Sequence, residues 1–96
     1  MELLTDKLRA ELPKLGDQDG AGDAAVAYCK FFAPTSNWTW YVLEFDGEDQ
    51  FFGLVEGFET ELGYFSLREL EEIRLPMGLG IERDIHWSPT KLGELR

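Results

Sequence analysis

The chain has 96 residues, with 19 Asp and Glu against nine Lys and Arg, which gives a formal net charge of −10 and a sequence pI near 4.4. A chain of this length forms one small domain, so we expect residues 1–96 to fold as a single unit. Its acidity excludes a conventional nucleic-acid binder, which needs cationic side chains against phosphate, and disfavours recruitment to an anionic membrane surface.

Signals for export, membrane insertion and cofactor binding are absent from the sequence. Cys29 is the only cysteine, so neither an intramolecular disulfide nor a structural cysteine-based zinc site can form. The start of the chain shows no basic segment followed by an apolar stretch, and no apolar run approaches the ~20 residues of a membrane helix. We therefore expect a cytoplasmic protein without a cofactor, because no dinucleotide fingerprint or phosphate-binding glycine loop occurs either.

The first predicted element is an amphipathic helix over residues 2–15. Four leucines recur at spacings of four, four and three, which places them on one stripe: Leu4, Leu8, Leu12 and Leu15. Either Thr5 or Asp6 can serve as the N-cap, and Pro13 should end or kink the helix. Residues 16–24 are rich in Gly and Asp, which predicts a mobile loop.

Aromatic residues dominate the centre of the chain, where eleven of the thirteen lie between Phe31 and Phe65. Their density, with turn residues between the runs, predicts strands at 25–32, 38–45, 50–56 and 60–65. Asp46-Gly47 favours a hairpin turn, and the short connections favour antiparallel neighbours. The pattern distributes apolar groups over both faces of the central hairpin, with one set on each face: Trp38, Trp40 and Phe52 against Tyr41, Phe45 and Phe51.

The C-terminal third begins with the best-marked helix. Ser66 and Glu69 have the spacing of a capping box, and Pro76 should stop the helix by about Arg74. Residues 81–87 alternate as a fifth, edge strand does, and Ser88-Pro89 predicts a short terminal helix. The expected fold class is α+β, with an antiparallel sheet of four to five strands and two to three helices packed on it.

Two groups of residues could carry chemistry. On a strand at 81–87, Glu82, Asp84 and His86 would share one face and offer a metal-ligand set, although alternating charges are also typical of an exposed strand. Glu44 and Asp46 could form an acid/base couple with Glu82 or Asp84. Alternatively, Asp46 belongs to a tight turn and Glu44 forms a salt bridge, for which Arg83 is a candidate partner. The sequence favours no catalytic residue.

The charge of the chain is unevenly distributed. No Lys or Arg occurs between Phe31 and Leu67, where the candidate partner-binding carboxylates lie: Glu44, Asp46, Glu48, Asp49, Glu56, Glu59 and Glu61. A surface of one sign steers a partner of the opposite sign, so we expect another protein with a basic surface as the partner. The alternative is that this charge keeps an aromatic sheet soluble and blocks pairing at its edge.

Six segments of the chain resemble an uncharacterised bacterial family, a domain of unknown function whose members are single-domain proteins of about this length. They are KFFAP (30–34), NWTWY (37–41), EFDG (44–47), FFGLV (51–55), ELGYFSL (61–67) and ERD (82–84). Members of that family are often encoded on plasmids, integrative elements and phage-like islands. The resemblance therefore implies an accessory protein of mobile DNA, and it supplies no activity, cofactor or catalytic residue.

These observations favour a non-enzymatic, acidic protein-binding module of mobile genetic elements, which engages a basic protein such as one that handles nucleic acids. We expect no direct contact with nucleic acid or membrane, and either a monomer or a dimer through a sheet edge. Two alternatives remain open at this point. One is a metal-assisted hydrolase that uses Glu82, Asp84 and His86, and the other is a small-molecule pocket lined by Trp38, Trp40 and Tyr64.

Overall fold

The computed structural model describes residues 2–96 and contains two short α-helices, seven strands and three 3-10 turns. The helices are α1 (Asp6–Glu11) and α2 (Leu67–Glu72), and the 3-10 turns cover Gly22–Ala24, Pro76–Gly78 and Leu92–Glu94. The strands are β1 (Val26–Ala27), β2 (Cys29–Phe32), β3 (Thr39–Phe45), β4 (Gln50–Glu56), β5 (Thr60–Ser66), β6 (Glu82–Arg83) and β7 (Thr90–Lys91).

Five of the strands form one antiparallel sheet in the order β5-β4-β3-β2-β6, and β1 pairs with β7 in a separate two-stranded sheet. The α+β class and the antiparallel sheet are confirmed. The strand predicted over 25–32 is divided at Tyr28, whose N–H donates to the carbonyl of Val42 at 2.8 Å. Its first half therefore pairs with the C-terminal part of the chain, and its second half enters the main sheet.

The first helix is shorter than the leucine spacing predicts. The Thr5 hydroxyl accepts the N–H of Leu8 at 3.1 Å and fixes the N-cap, so Leu4 lies before the helix. Leu12, the C-cap residue, ends the helix immediately before Pro13. Leu4 and Leu12 are nonetheless buried, because the extended segments at both ends of α1 pack into the core.

The predicted terminal helix is wrong. Thr90 and Lys91 continue as a strand that pairs with Ala27 and Val26, and only a 3-10 turn follows. Gly93 in this turn lies against Asp23, where a Cβ atom would approach the Asp23 Cβ to 2.7 Å. The backbone of this segment is thus satisfied by a strand that lies far away in sequence, which outweighs the local preference for a helix.

The second helix begins where its capping residue predicts. The Ser66 hydroxyl accepts the N–H of Glu69 at 3.2 Å and donates to a carboxylate oxygen of Asp49 at 2.6 Å. Asp49 also accepts the N–H of Arg68 at 2.8 Å. The first turn of α2 is therefore bound to the turn between β3 and β4, so the helix position is fixed relative to the sheet.

A β-bulge in β3 determines which side chains share a face of the sheet. The register shifts between Val42 and Glu44, because Val42 pairs with Gly53 whereas Glu44 pairs with Phe52. The extra residue returns Phe45 to the face of Trp40, and the predicted division of the aromatics is therefore wrong. The larger core cluster contains Phe31, Trp40, Phe45 and Phe51, and the smaller one has Leu43 and Leu54 with Tyr41 and Phe52 against them.

The strand predicted over 81–87 is present only as β6, at the edge beside β2. Beyond it, the Asp84 carboxylate accepts the backbone N–H of His86 at 3.0 Å, and the Asp84 carbonyl accepts the N–H of Trp87 at 3.3 Å. The chain therefore turns at Asp84 instead of continuing along β2. The Arg83 guanidinium donates to the carbonyls of Glu2 and Leu3 at 2.8 and 2.9 Å, which joins this edge to the start of the chain.

Candidate functional site

The seven candidate carboxylates do not form one surface, and Glu44 is inside the protein. Its side chain lies beside the bulge and is only 3% exposed. The backbone N–H groups of Gly16 and Gln18 donate to its two oxygens, each at 2.8 Å. These charge-assisted bonds satisfy a buried charge that would otherwise be costly. Glu44 thus holds the Gly/Asp-rich segment against the sheet and is not accessible to a partner.

The predicted salt bridge between Glu44 and Arg83 is replaced by these bonds. The acid/base couple with Glu82 is also not assembled. Glu82 pairs with Phe32, which is opposite Thr39, so it lies near the start of β3, whereas Glu44 lies near its end. The separation along β3 is about 17 Å, too far for two carboxylates to share a substrate atom.

Two further carboxylates are engaged in turns. Asp46 accepts the N–H groups of Glu48, Asp49 and Gln50 at 2.7–3.0 Å, and these bonds lower the pKa of its carboxyl group. Gly47 in the same turn has φ +93, a conformation that favours glycine. The hydroxyl of Ser66 and the N–H of Arg68 likewise lower the pKa of Asp49. Both carboxylates are used to shape the β3–β4 turn and to cap α2.

The remaining four carboxylates fall into two groups. Glu56 accepts the Tyr41 hydroxyl at 3.3 Å, and this contact contributes with burial to a raised pKa of the tyrosine. Glu48, Glu59 and Glu61 are exposed, and their carboxylates make no hydrogen bond or ion pair within residues 2–96. Glu48 lies in the β3–β4 turn, and the other two lie at the β4–β5 turn, about 20 Å away along β4. Only Glu59 and Glu61 are near each other.

An aromatic ridge, formed by Trp38 and Phe58, lies beside Glu59. Phe58 is at the tip of the β4–β5 turn and is 95% exposed, and its ring meets that of Trp38 edge to face at 5.4 Å. The Trp38 ring also stacks on Trp40 at 5.8 Å. A Cβ atom on Gly57 would lie 2.4 Å from the Trp38 ring, so the glycine allows the ring to rest on the turn backbone. The ridge thus projects from the sheet at this turn.

An apolar groove of about 280 Å³ opens next to this ridge. Its walls come from the loop before β3, the start of β3 and the segment after α2: Ala33, Ser36, Trp38, Trp40, Ile73, Leu75 and Ile81. Trp40, Val55 and Glu61 form one row across three strands, on the face that the groove occupies. A ligand in the groove would therefore meet apolar walls on one side and the Glu61 carboxylate along the same face.

The predicted small-molecule pocket is not assembled as a set of three rings. Trp38 and Trp40 both line the groove, whereas Tyr64 packs against Phe52 at 5.0 Å on the opposite face. The prediction groups Tyr64 with the tryptophans because the bulge that separates their faces leaves no local signal in the sequence. The groove keeps two of the three predicted residues.

The candidate metal ligands are also separated. Glu82 lies on β6, whereas Asp84 and His86 lie in the turn after it, where the Asp84 carboxylate binds a backbone N–H and approaches Lys30 at 4.0 Å. Within residues 2–96, no group of three or more His, Cys, Asp and Glu side chains is arranged to hold a metal ion. Cys29 is buried, and burial raises the pKa of its thiol to about 12, which disfavours the reactive thiolate form.

Sequence reasoning missed Phe58, the most exposed large apolar side chain of the described residues. A signal was present, because Gly57, Phe58 and Glu59 stand between two predicted strands, and an aromatic residue at the tip of a turn has no core to enter. This signal is masked by the aromatic-rich strands on both sides, whose pattern Phe58 continues.

Comparisons with known proteins identify the family of this chain but not an activity. Neither a curated protein nor a solved structure matches it. No helix within residues 2–96 is long and apolar enough to cross a membrane. A family model described as a protein of unknown function, DUF2958, matches residues 3–92. This match covers nearly the whole sequence, and the chain therefore belongs to the DUF2958 family.

Proposed function

We propose that this chain is a non-enzymatic protein-binding module, and that the aromatic ridge, the apolar groove and the carboxylates of Glu59 and Glu61 form its contact surface. The observation that carries the proposal is Phe58, a phenylalanine that is almost fully exposed at the tip of a turn and contacts the ring of Trp38. Covering such a ring contributes about 1.5–3 kcal/mol to an association. Fixed aromatic side chains beside a pocket are also the usual centres of binding energy in protein interfaces.

The chemistry of the surface selects a partner segment that combines an apolar side chain with Lys or Arg. The apolar part fits the groove, whose walls are almost entirely hydrocarbon and aromatic carbon. The basic part is favoured by Glu59 and Glu61, which have no competing partner within residues 2–96, and by a stretch of chain without Lys or Arg. Opposite charges at the rim of an interface mainly accelerate association and select against acidic partners.

The wider setting of this proposal is a cytoplasmic accessory protein of mobile genetic elements, whose partner is a basic protein that handles nucleic acids. The net charge of −10 supports indirect action on nucleic acid through such a partner. The resemblance of the chain to proteins encoded on plasmids and integrative elements supports the genetic setting.

The test combines affinity capture from a lysate of the source organism with matched variants. Phe58→Ala and the pair Glu59→Lys with Glu61→Lys should each lose a protein that the unchanged chain retains at low salt. Glu48→Lys is the control, because it also reverses an exposed charge but lies at the other end of β4. Retention should fall in high salt, since the Debye length, over which charges attract each other, shortens from ~10 Å at 0.1 M to ~3 Å at 1 M.

Two outcomes of this capture experiment would contradict the proposed contact surface. A retained protein that ignores Phe58→Ala and the double charge reversal, or that responds equally to Glu48→Lys, would show that the contact surface lies elsewhere. The retained protein is then purified and titrated against the same variants, so that loss of direct binding is measured as a change in Kd.

A further inference from the structure

The edge strand β5 presents a second surface, which shares only Glu61 with the contact surface proposed above. It pairs with β4 on one side, and within residues 2–96 no strand covers its other side. At seven residues it is long for an exposed edge. Glu61 is its only charged side chain, and it carries none of the lysines, prolines or bulges that usually protect an edge.

The hydrogen-bond pattern shows which backbone groups of β5 face outward. Gly57 N–H donates to the Glu59 carbonyl at 3.0 Å, and Leu67 N–H donates to the Asp49 carbonyl at 2.8 Å, at the two ends of the β4–β5 register. Bonded and non-bonded pairs alternate along an antiparallel ladder. The odd-numbered residues of β5 therefore bond to β4, and the even-numbered residues direct N–H and C=O away from the sheet, at Thr60, Leu62 and Tyr64.

We propose that two copies of this chain pair antiparallel through β5, about a two-fold axis beside Gly63, and so extend the sheet across both copies. In this register Leu62 of one copy lies opposite Tyr64 of the other. The backbone N–H and C=O groups of both residues point away from β4, so each Leu62–Tyr64 pair can exchange two N–H···O bonds. Other symmetric registers shorten the overlap of the strands, which makes the one centred on Gly63 the best matched.

The side chains of β5 fit this register. Leu62 and Tyr64 are 38% and 64% exposed on one face, and in the dimer they form a cross-strand apolar pair. Gly63 would lie opposite Gly63 of the second copy, at a Cα–Cα distance of about 4.5 Å. Within one copy, no atom lies within 4 Å of the position that a Cβ on Gly63 would take. Glu61 lies opposite Phe65 of the second copy, about 14 Å from the other Glu61. The strand therefore avoids a like-charge contact with itself.

The net charge of −10 sets the salt dependence of this association. Two acidic chains repel each other, and salt screens the repulsion, so the dimer should be favoured at high salt. Binding of a basic partner changes in the opposite direction. Failure of the dimer and failure of the proposed partner binding are thus separately observable.

The test is cysteine crosslinking with a matched control, since the native Cys29 is buried. Gly63→Cys should form a disulfide-linked dimer under mild oxidation, because ~4.5 Å lies within the range of Cα distances that a disulfide spans. Glu61→Cys, on the same strand and the same face, should not, because its two copies are about 14 Å apart. Crosslinking of both variants alike, or of Glu61→Cys alone, would overturn the register.

Sedimentation of the unchanged chain provides a second measurement that needs no cysteine variant. The dimer fraction should rise between about 5 and 500 μM and should be higher in 0.5 M than in 0.05 M NaCl. Leu62→Lys should weaken association at least about tenfold, whereas Met77→Lys, an equal change at an exposed apolar residue outside β5, should not. A monomer at every concentration and salt, without Gly63→Cys crosslinking, would refute the dimer.

Discussion

The two glycines that pair across β4 and β5 give a sharp test of the described packing. Gly53 and Gly63 are opposite each other in the register, in the same sheet and on the same face. A Cβ atom on Gly53 would lie 1.9 Å from the carbonyl oxygen of Tyr41, which belongs to the neighbouring strand just before the bulge. A Cβ atom on Gly63 would meet no atom within 4 Å. Alanine should therefore have opposite effects at the two positions.

The size of the destabilisation by Gly53→Ala follows from the atom that must move to admit the added methyl group. The Tyr41 oxygen is a backbone atom, and it would have to retreat by about 1 Å for an added methyl group to fit, which displaces β3 at its bulge. Overpacking of this kind costs roughly 3 kcal/mol. For a domain of this size that lowers the Tm by about 12–24 °C. Gly63→Ala, by contrast, should raise stability by about 0.5–1 kcal/mol, because glycine is unfavourable inside a strand.

The assay is urea and thermal unfolding of both variants and the unchanged chain, followed by tryptophan fluorescence and circular dichroism. The urea slope should stay the same in all three proteins, since a change in slope would indicate a change in the compactness of a state. Equal stabilities for Gly53→Ala and the unchanged chain would refute the close approach of β3 to β4. A comparable loss in Gly63→Ala would refute the open space at the edge strand.

Three further outcomes are expected. The Cys29 thiol should resist alkylation at pH 8 in the folded protein and react at the rate of a free thiol in urea, because burial raises its pKa to about 12; equal rates would contradict its burial. The pKa of Asp49 is lowered in the folded state, so its contribution to stability is present above the unfolded value of about 3.9 and is lost as the pH falls through the folded value. Asp49→Asn should therefore lower the Tm at pH 7 and have little effect near pH 2, and an equal loss at both would refute the linkage. Glu44→Gln should cost about 3 kcal/mol in urea unfolding, because the amide turns a donor toward one of two backbone N–H groups that now bind a carboxylate; an unchanged midpoint would refute this role.

The parts of the fold that could be predicted are those that local signals specify. The β3–β4 hairpin follows from the aromatic density on both sides of Asp46-Gly47, and the start of α2 follows from Ser66. The pairing of β1 with β7 could not be predicted, because each has two residues and the paired positions are 63 and 65 residues apart. Two-residue strands have no periodicity to detect, and only the folded chain brings them together.

The candidate site likewise has features that are visible in the sequence and features that depend on tertiary structure. The acidic character of the central segment is visible in the sequence, but the sequence does not show that Glu44 is buried or that Asp49 caps α2. Those roles depend on a bulge and on a contact between a turn and a helix, both of which arise from tertiary structure. Glu59 and Glu61 are exposed, and within residues 2–96 no backbone N–H or basic side chain binds their carboxylates.

The contacts of Gln18 alter what the Gly/Asp-rich segment can tolerate. Its side-chain amide donates to the carbonyls of Val26 and Leu43 at 2.9 and 3.0 Å and accepts the N–H of Val26 at 2.7 Å. The Gln18 side chain therefore bridges β1 and the bulge of β3 with hydrogen bonds of the kind that a neighbouring strand would make. By composition, residues 16–24 look like a natural place to insert a tag or a reporter domain. Because Gly16 and Gln18 each bind a fixed partner, the path of this segment is constrained, and an insertion beside either residue would disrupt its bonds to Glu44, Val26 or Leu43.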